Sequence, residues 1–179
     1  MDHDTEGHSP STVSVFLAGL QAGMIGAGAM LVWLGASAIW QRRSFWTSEN
    51  LMASLFYGDA AIHTGFAFST VSGLAVFLIT YSLLGALFAG SVRNRLTGWG
   101  TLLVSILISV SWYYFWFQTV GRRALPLVAL LHSERPTLFG HVIFGCLLAR
   151  FHAYLPRPQT TTPVAIPPQN SEAPAGPEA

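Results

Sequence analysis

The sequence predicts an all-α polytopic membrane protein, a bundle of four transmembrane helices built as two parallel repeats of span, interfacial helix and span. Three observations carry this. Four apolar stretches are cut apart by arginine pairs. Only 9% of the 179 residues are charged, against about 25% in soluble domains. The two halves also echo each other. A helix needs about 20 mostly apolar residues to cross ~30 Å of hydrocarbon. Stretches 13–40, 60–92 and 96–120 exceed that length without one Asp, Glu, Lys or Arg. Stretch 137–155 is the shortest of the four.

Residues 1–12 are polar and expected to be mobile. Span one, 13–40, is dense in small residues. Gly19, Gly23 and Ala27 form one ridge at four-residue spacing, and Ala18, Ala22 and Gly26 form the next. Such ridges let helix backbones approach closely in lipid, where burial of apolar surface gives no drive. Gln21 lies between them and is expected to face a neighbouring helix. Trp40, Arg42 and Arg43 then supply aromatic and basic interface anchors.

Residues 48–58 read as a short interfacial helix. Ser48 suits the N-cap, Leu51, Met52, Leu55 and Phe56 form a stripe, and Gly58 suits the C-terminal cap. Span two, from Asp59 to Arg93, is too long for one upright helix, so its first turns are expected at the interface, or a bend near Gly65 or Gly73. Span three carries Trp112-Tyr-Tyr-Phe-Trp-Phe117 near its end, the position of an aromatic belt. A second short apolar segment, 124–132, precedes span four. Arg150 inside that span must snorkel or pair. Seven of the ten prolines fall in 156–179. That stretch cannot bury enough apolar surface to offset its ordering entropy and is expected to be disordered.

The domain reading is therefore a mobile segment 1–12, a transmembrane domain 13–155 and a Pro-rich tail 156–179. A net charge of +1 leaves no nucleic-acid footprint. The single Cys146 permits no intramolecular disulfide. Asp2, Asp4 and Glu6 precede the first apolar stretch, which lacks the basic start of a cleaved signal and is expected to stay in the mature protein.

The echo is specific in order. Arg42-Arg43 closes span one, and Arg122-Arg123 closes span three 80 residues later. His63-Thr-Gly-Phe66-Ala67 opens span two, and His141-Val-Ile-Phe144-Gly145 opens span four 78 residues later. Spans one and three would run in one direction, giving a parallel repeat about an axis along the membrane normal.

Three readings of the polar residues stay open. In the first, Asp59 caps span two and the histidines make structural hydrogen bonds. In the second, His63 and His141 are axial ligands of a haem b. In the third, Asp59, His63, His132 and His141 bind a divalent metal or relay protons, since ionisable groups in membrane helices are functional candidates. Glu134 lies beside the last set. No nucleophile motif or pair of intramembrane carboxylates supports hydrolysis.

The glycine-rich helix from His63 through Tyr81, Gly98-Trp-Gly100, and above all Gly140-His-Val-Ile-Phe-Gly145 resemble a group of four-helix bacterial inner-membrane proteins of the YagU-like kind. The resemblance covers roughly residues 55–155 and implies a fold, not an activity. The resulting expectation is a non-enzymatic accessory or helix-packing protein of a bacterial inner membrane, with no cofactor. Its partners would be the lipid bilayer and either other membrane subunits or further copies of itself. A haem- or metal-binding protein, or a small proton or solute conduit, is the alternative. Orientation is weakly marked by charge, with five arginines on one side against four on the other. The acidic N-terminus favours both termini outside.

Overall fold

A computed structural model describes residues 11–93, 95–96, 98–121, 128 and 131–156. The expectations for 1–12 and 156–179 fall almost wholly outside them, as do Arg122, Arg123 and most of 124–132. Among the described residues the chain is all-helical, with five α-helices and no strand. They are α1 (Thr12–Trp40), α2 (Thr47–Tyr57), α3 (Phe68–Val92), α4 (Trp99–Tyr113) and α5 (Glu134–Leu148). A π-helical segment, Tyr114–Gly121, prolongs α4, and a 3₁₀ segment, Ala149–Tyr154, prolongs α5. Three helices are long and apolar enough to cross a membrane: Thr12–Trp40, Phe68–Val92 and Trp99–Thr119.

Helix α1 starts where a cap is available. Ser11 Oγ accepts from the Ser14 backbone N–H at 3.1 Å, satisfying one of the orphan donors of a first turn. Both small-residue ridges are buried: Gly19, Gly23 and Ala27 on one, Ala18, Ala22 and Gly26 on the other. They serve two neighbours. A Cβ at Gly19 would lie 2.5 Å from the Gly85 carbonyl oxygen of α3. One at Gly26 would lie 2.9 Å from the Phe144 ring of α5. Gly145 of α5 is matched in turn to Ile106 of α4, whose Cα would be 2.8 Å from an added Cβ. Gly19 and Gly145 let two backbones meet, and Gly26 admits an aromatic ring, which is how apolar helices gain dispersion energy where no water is displaced. Gln21, by contrast, is exposed on the outer side of α1. The Gly19–Gly23 ridge and the Ala22–Gly26 ridge take up the whole inward arc, so the residue between them along the chain is turned away.

Helix α4 buries a different kind of face. Its buried residues are Thr101, Ser105, Ser109 and Tyr113, one per turn. Ser105 Oγ donates to the Leu102 carbonyl within the same helix at 2.8 Å. Thr101 Oγ1 is buried with no partner among the described residues.

Span two is corrected in length and start. It is α3 alone, 25 residues from Phe68, because residues 58–67 form a return loop rather than its first turns. Gly58, at φ +59°, ends α2 in a conformation costly for other residues. Asn50 then ties the loop down: its Nδ2 donates to the carbonyls of Thr64 (2.8 Å) and Gly65 (3.1 Å). The Thr70 hydroxyl donates to Asn50 Oδ1 at 2.6 Å, and its oxygen accepts the Ala67 N–H at 3.0 Å, capping α3. The α2 stripe also splits. Leu51 and Met52 are buried, whereas Leu55 and Phe56 are exposed. Five consecutive α2 residues, Glu49 to Ala53, are buried, since α2 is enclosed between α3 and the return loop instead of lying on one flank.

The last helix starts earlier than expected. Ser133 precedes α5, and Pro136 sits in its first turn, where the missing N–H would have had no helical acceptor anyway. Arg150 lies on the 3₁₀ extension and is exposed.

A clasped histidine and an adjoining cavity as candidate functional site

The buried polar centre of the bundle is His141, fully enclosed on α5. Its Nδ1 lies 2.8 Å from the Thr137 carbonyl oxygen one turn earlier. A carbonyl only accepts, so Nδ1 carries the proton and Nε2 is the acceptor. The Tyr81 hydroxyl of α3 donates to that Nε2 at 2.8 Å. Ser109 of α4 donates to the His141 carbonyl oxygen at 2.6 Å. One residue therefore ties three helices together. Aromatic rings pack around the imidazole: Tyr113 at 5.3 Å, Tyr81 at 5.6 Å and Phe117 at 6.4 Å between centroids.

Tyr81 also lines a cavity of about 50 Å³. Its walls come from α1, α2, α3 and α5, with Phe117 of the π-helical segment closing one side. Its buried lining is mostly apolar, Met30, Leu34, Leu51, Met52 and Phe77, with the hydroxyl-bearing Tyr81 and Thr137 beside them. The rim is polar: Gln41, Arg43, Ser48, His132 and Ser133. Arg43 bridges the rim, with Nη1 donating to the Leu131 carbonyl at 3.1 Å. Ser133 Oγ donates to Gln41 Oε1 at 2.8 Å, closing the same end of the bundle.

The residues singled out in the sequence are dispersed. Asp59 lies in a 3₁₀ turn, Gly58–Ala61, and is exposed. His63 is exposed on the turn that follows, five residues before α3 begins. Asp59 and His63 therefore share no helix, and Asp59 does not cap span two. His132 is partly buried; its Nδ1–H points to the Val128 carbonyl at 3.0 Å, and its ring stacks on Phe117 at 4.3 Å. Among the described residues no three His, Cys, Asp or Glu side chains are grouped as a metal would require. The His63/His141 pair does not fit a bis-histidine haem either. One ring is on an outer turn, and both nitrogens of the other are engaged. The His-x-x-Phe motif thus occupies a turn in the first half and a helix interior in the second, so its two copies are not structurally equivalent. The physical reason is the Asn50 anchor, which holds Thr64 and Gly65 in the return loop and keeps His63 out of α3.

Sequence reading missed Tyr81, Ser109 and Tyr113. For Ser109 and Tyr113 the signal was available as hydroxyl-bearing residues at four-residue spacing inside one apolar span, Thr101, Ser105, Ser109 and Tyr113; Tyr81, with Phe77 and Gly85 at that spacing, carries no such signal. It also missed Glu49, which is 1% exposed with Oε2 unpartnered among the described residues. Burial raises its carboxyl above the usual carboxylate range, partly offset by its own backbone N–H.

Comparison with protein families, with curated proteins and with solved structures finds no match to this chain.

Proposed function

We propose that this chain is a four-crossing accessory protein of a bacterial inner membrane, of the YagU-like kind, whose work is helix packing rather than catalysis. The observation that supports this best is the use of His141. Its two nitrogens and its carbonyl are all bound by the chain's own groups, so the most buried imidazole acts as a clasp. The fourth crossing is supported by length. The 15 residues of α5 and the six of its 3₁₀ extension together rise about 34 Å, enough for ~30 Å of hydrocarbon. Glu134 and Arg135 fall at one end and Arg150 near the other, leaving 14 uncharged residues between. Partner subunits, or further copies of the chain, meet the lipid-facing side, where Gln21 offers an amide to a neighbouring helix.

An absorption spectrum with metal analysis of protein purified in mild detergent tests the role. The clasp reading expects a colourless protein without stoichiometric metal; a Soret band or one bound Zn, Cu or Fe per chain refutes it. Crossing number and orientation are read by reporter fusions. A phosphatase active when fused at the C-terminus but inactive when fused at residue 45 would mean four crossings with termini outside. The same result at both positions, active or inactive, would mean three crossings; activity at residue 45 alone would mean four with both termini inside.

A further inference from the structure

We infer that the cavity beside Tyr81 is a binding site for a short-chain monocarboxylate, held by the Arg43 guanidinium at the rim with its alkyl end against Leu34, Ala38 and Met52. The inference goes beyond the packing role and does not depend on the number of crossings.

Charge selects the class of head group. Arg43 is partly buried, its Nη1 is fixed on the Leu131 carbonyl, and no described carboxylate pairs with it. A guanidinium carries five N–H donors in a rigid fork that matches a carboxylate. One is used, which leaves the Nη2 and Nε edges for an anion. Ser48 stands on the same rim with its hydroxyl in no protein hydrogen bond among the described residues. A half-enclosed cation with one neutral acceptor and no counter-ion among the described residues is incompletely compensated by them, and a charge-assisted pair there is roughly twice as strong as a neutral hydrogen bond.

The walls select the other end. The buried apolar lining is Leu34, Ala38, Leu51, Met52 and Phe77, which offers an apolar group dispersion contacts; the hydroxyls buried beside them, Tyr81 and Thr137, already donate to His141 and to the Ser133 carbonyl. An inorganic anion would leave this part empty.

Volume selects the length. A single water needs about 10–15 Å³ on this measure, and benzene is held by a cavity of about 150 Å³. At about 50 Å³, a third of the benzene-sized cavity, the site encloses roughly two carbons. With the carboxylate at the rim, the alkyl ends of acetate, propionate and butyrate, one to three carbons long, bracket that size. A lipid acyl chain is excluded on the same ground.

The test uses the full chain in nanodiscs of uncharged phosphatidylcholine, with saturation-transfer NMR on a series from formate to octanoate. Saturable binding that is tightest between acetate and butyrate is expected. Arg43→Gln should weaken it at least tenfold, and Arg43→Lys should recover only part. Ala38→Leu, which fills the interior and leaves Arg43 in place, should also abolish it. Should Arg43→Gln lose its helical circular dichroism, Ala38→Leu carries the test alone. The proposal is overturned by no saturable signal, by binding unchanged in either variant, or by affinity that climbs through octanoate. Displacement of acetate by inorganic phosphate at equal concentration would also overturn it, because the rim would then be reading lipid head groups. None of these outcomes bears on the colour, metal content or reporter pattern that test the packing role.

Discussion

Gly23→Ala tests whether backbone contact between α1 and α3 holds this bundle together. The added Cβ would lie 2.6 Å from the Tyr81 carbonyl oxygen, 3.0 Å from Ser82 Cα and 3.2 Å from Gly85 Cα. All three are backbone atoms, so no rotamer change relieves the clash. Ordinary contact begins at 3.4 Å, and the difference from 2.6 Å requires the helices to part by about 0.8 Å at this point. A gap of that size forfeits roughly a quarter to a half of each affected dispersion contact, and overpacking a tight site costs about 1–3 kcal/mol. Alanine itself is a better helix former than glycine by up to ~1 kcal/mol. Gly28→Ala isolates that gain, because nothing lies within 4 Å of its added Cβ. The propensity cancels in the comparison, so Gly23→Ala should be less stable than Gly28→Ala by about 1–3 kcal/mol. Unfolding by SDS titrated into dodecylmaltoside micelles, followed by far-ultraviolet circular dichroism, measures both. Equal midpoints for the two variants would show that α1 and α3 do not meet as described.

Tyr81→Phe should destabilise by about 1–3 kcal/mol, the cost of leaving the buried His141 Nε2 without a donor. His141→Phe on that background should then cost much less than on the parent, in the same SDS titration, because both polar groups are gone. Asn50→Ala removes the donors to Thr64 and Gly65 and the acceptor for Thr70. Hydrogen exchange by mass spectrometry should speed up at residues 58–67 while α1 stays protected; unchanged exchange there would deny the anchor. Burial raises the Glu49 carboxyl, so the folded chain holds that proton at a pH where the unfolded chain, near the ordinary value of about 4.3, has released it. This contribution to stability is fully present below the unfolded value and is lost as pH rises through the raised one. Stability of the parent relative to Glu49→Gln, which stays neutral, should therefore fall as pH rises from about 4.3; a flat difference refutes the burial.

The sequence by itself determined the class of the molecule. Stretches 13–40, 60–92 and 96–120 are uncharged and long, and hydrocarbon admits only helices of that kind. It also marked Gly19, Gly23, Ala22, Gly26 and Ala27, since a ridge of small residues at four-residue spacing is set by helical geometry alone. What it could not supply was the choice of partner across the bundle. That Gly19 and Gly23 meet α3, while Gly26 meets Phe144 of α5, depends on where each neighbour crosses. The helical period alone leaves this free. The histidines show the same limit. Chain position gave His63 and His141 equal standing. Asn50, 14 residues upstream of Thr64, holds the return loop and leaves His63 on an outer turn. Tyr81, 60 residues from His141, supplies the donor that makes the other imidazole a clasp. Contacts between residues that distant are decided by packing of whole helices, because a hydrogen-bonding group in an apolar interior must find its partner wherever the neighbouring helix presents one.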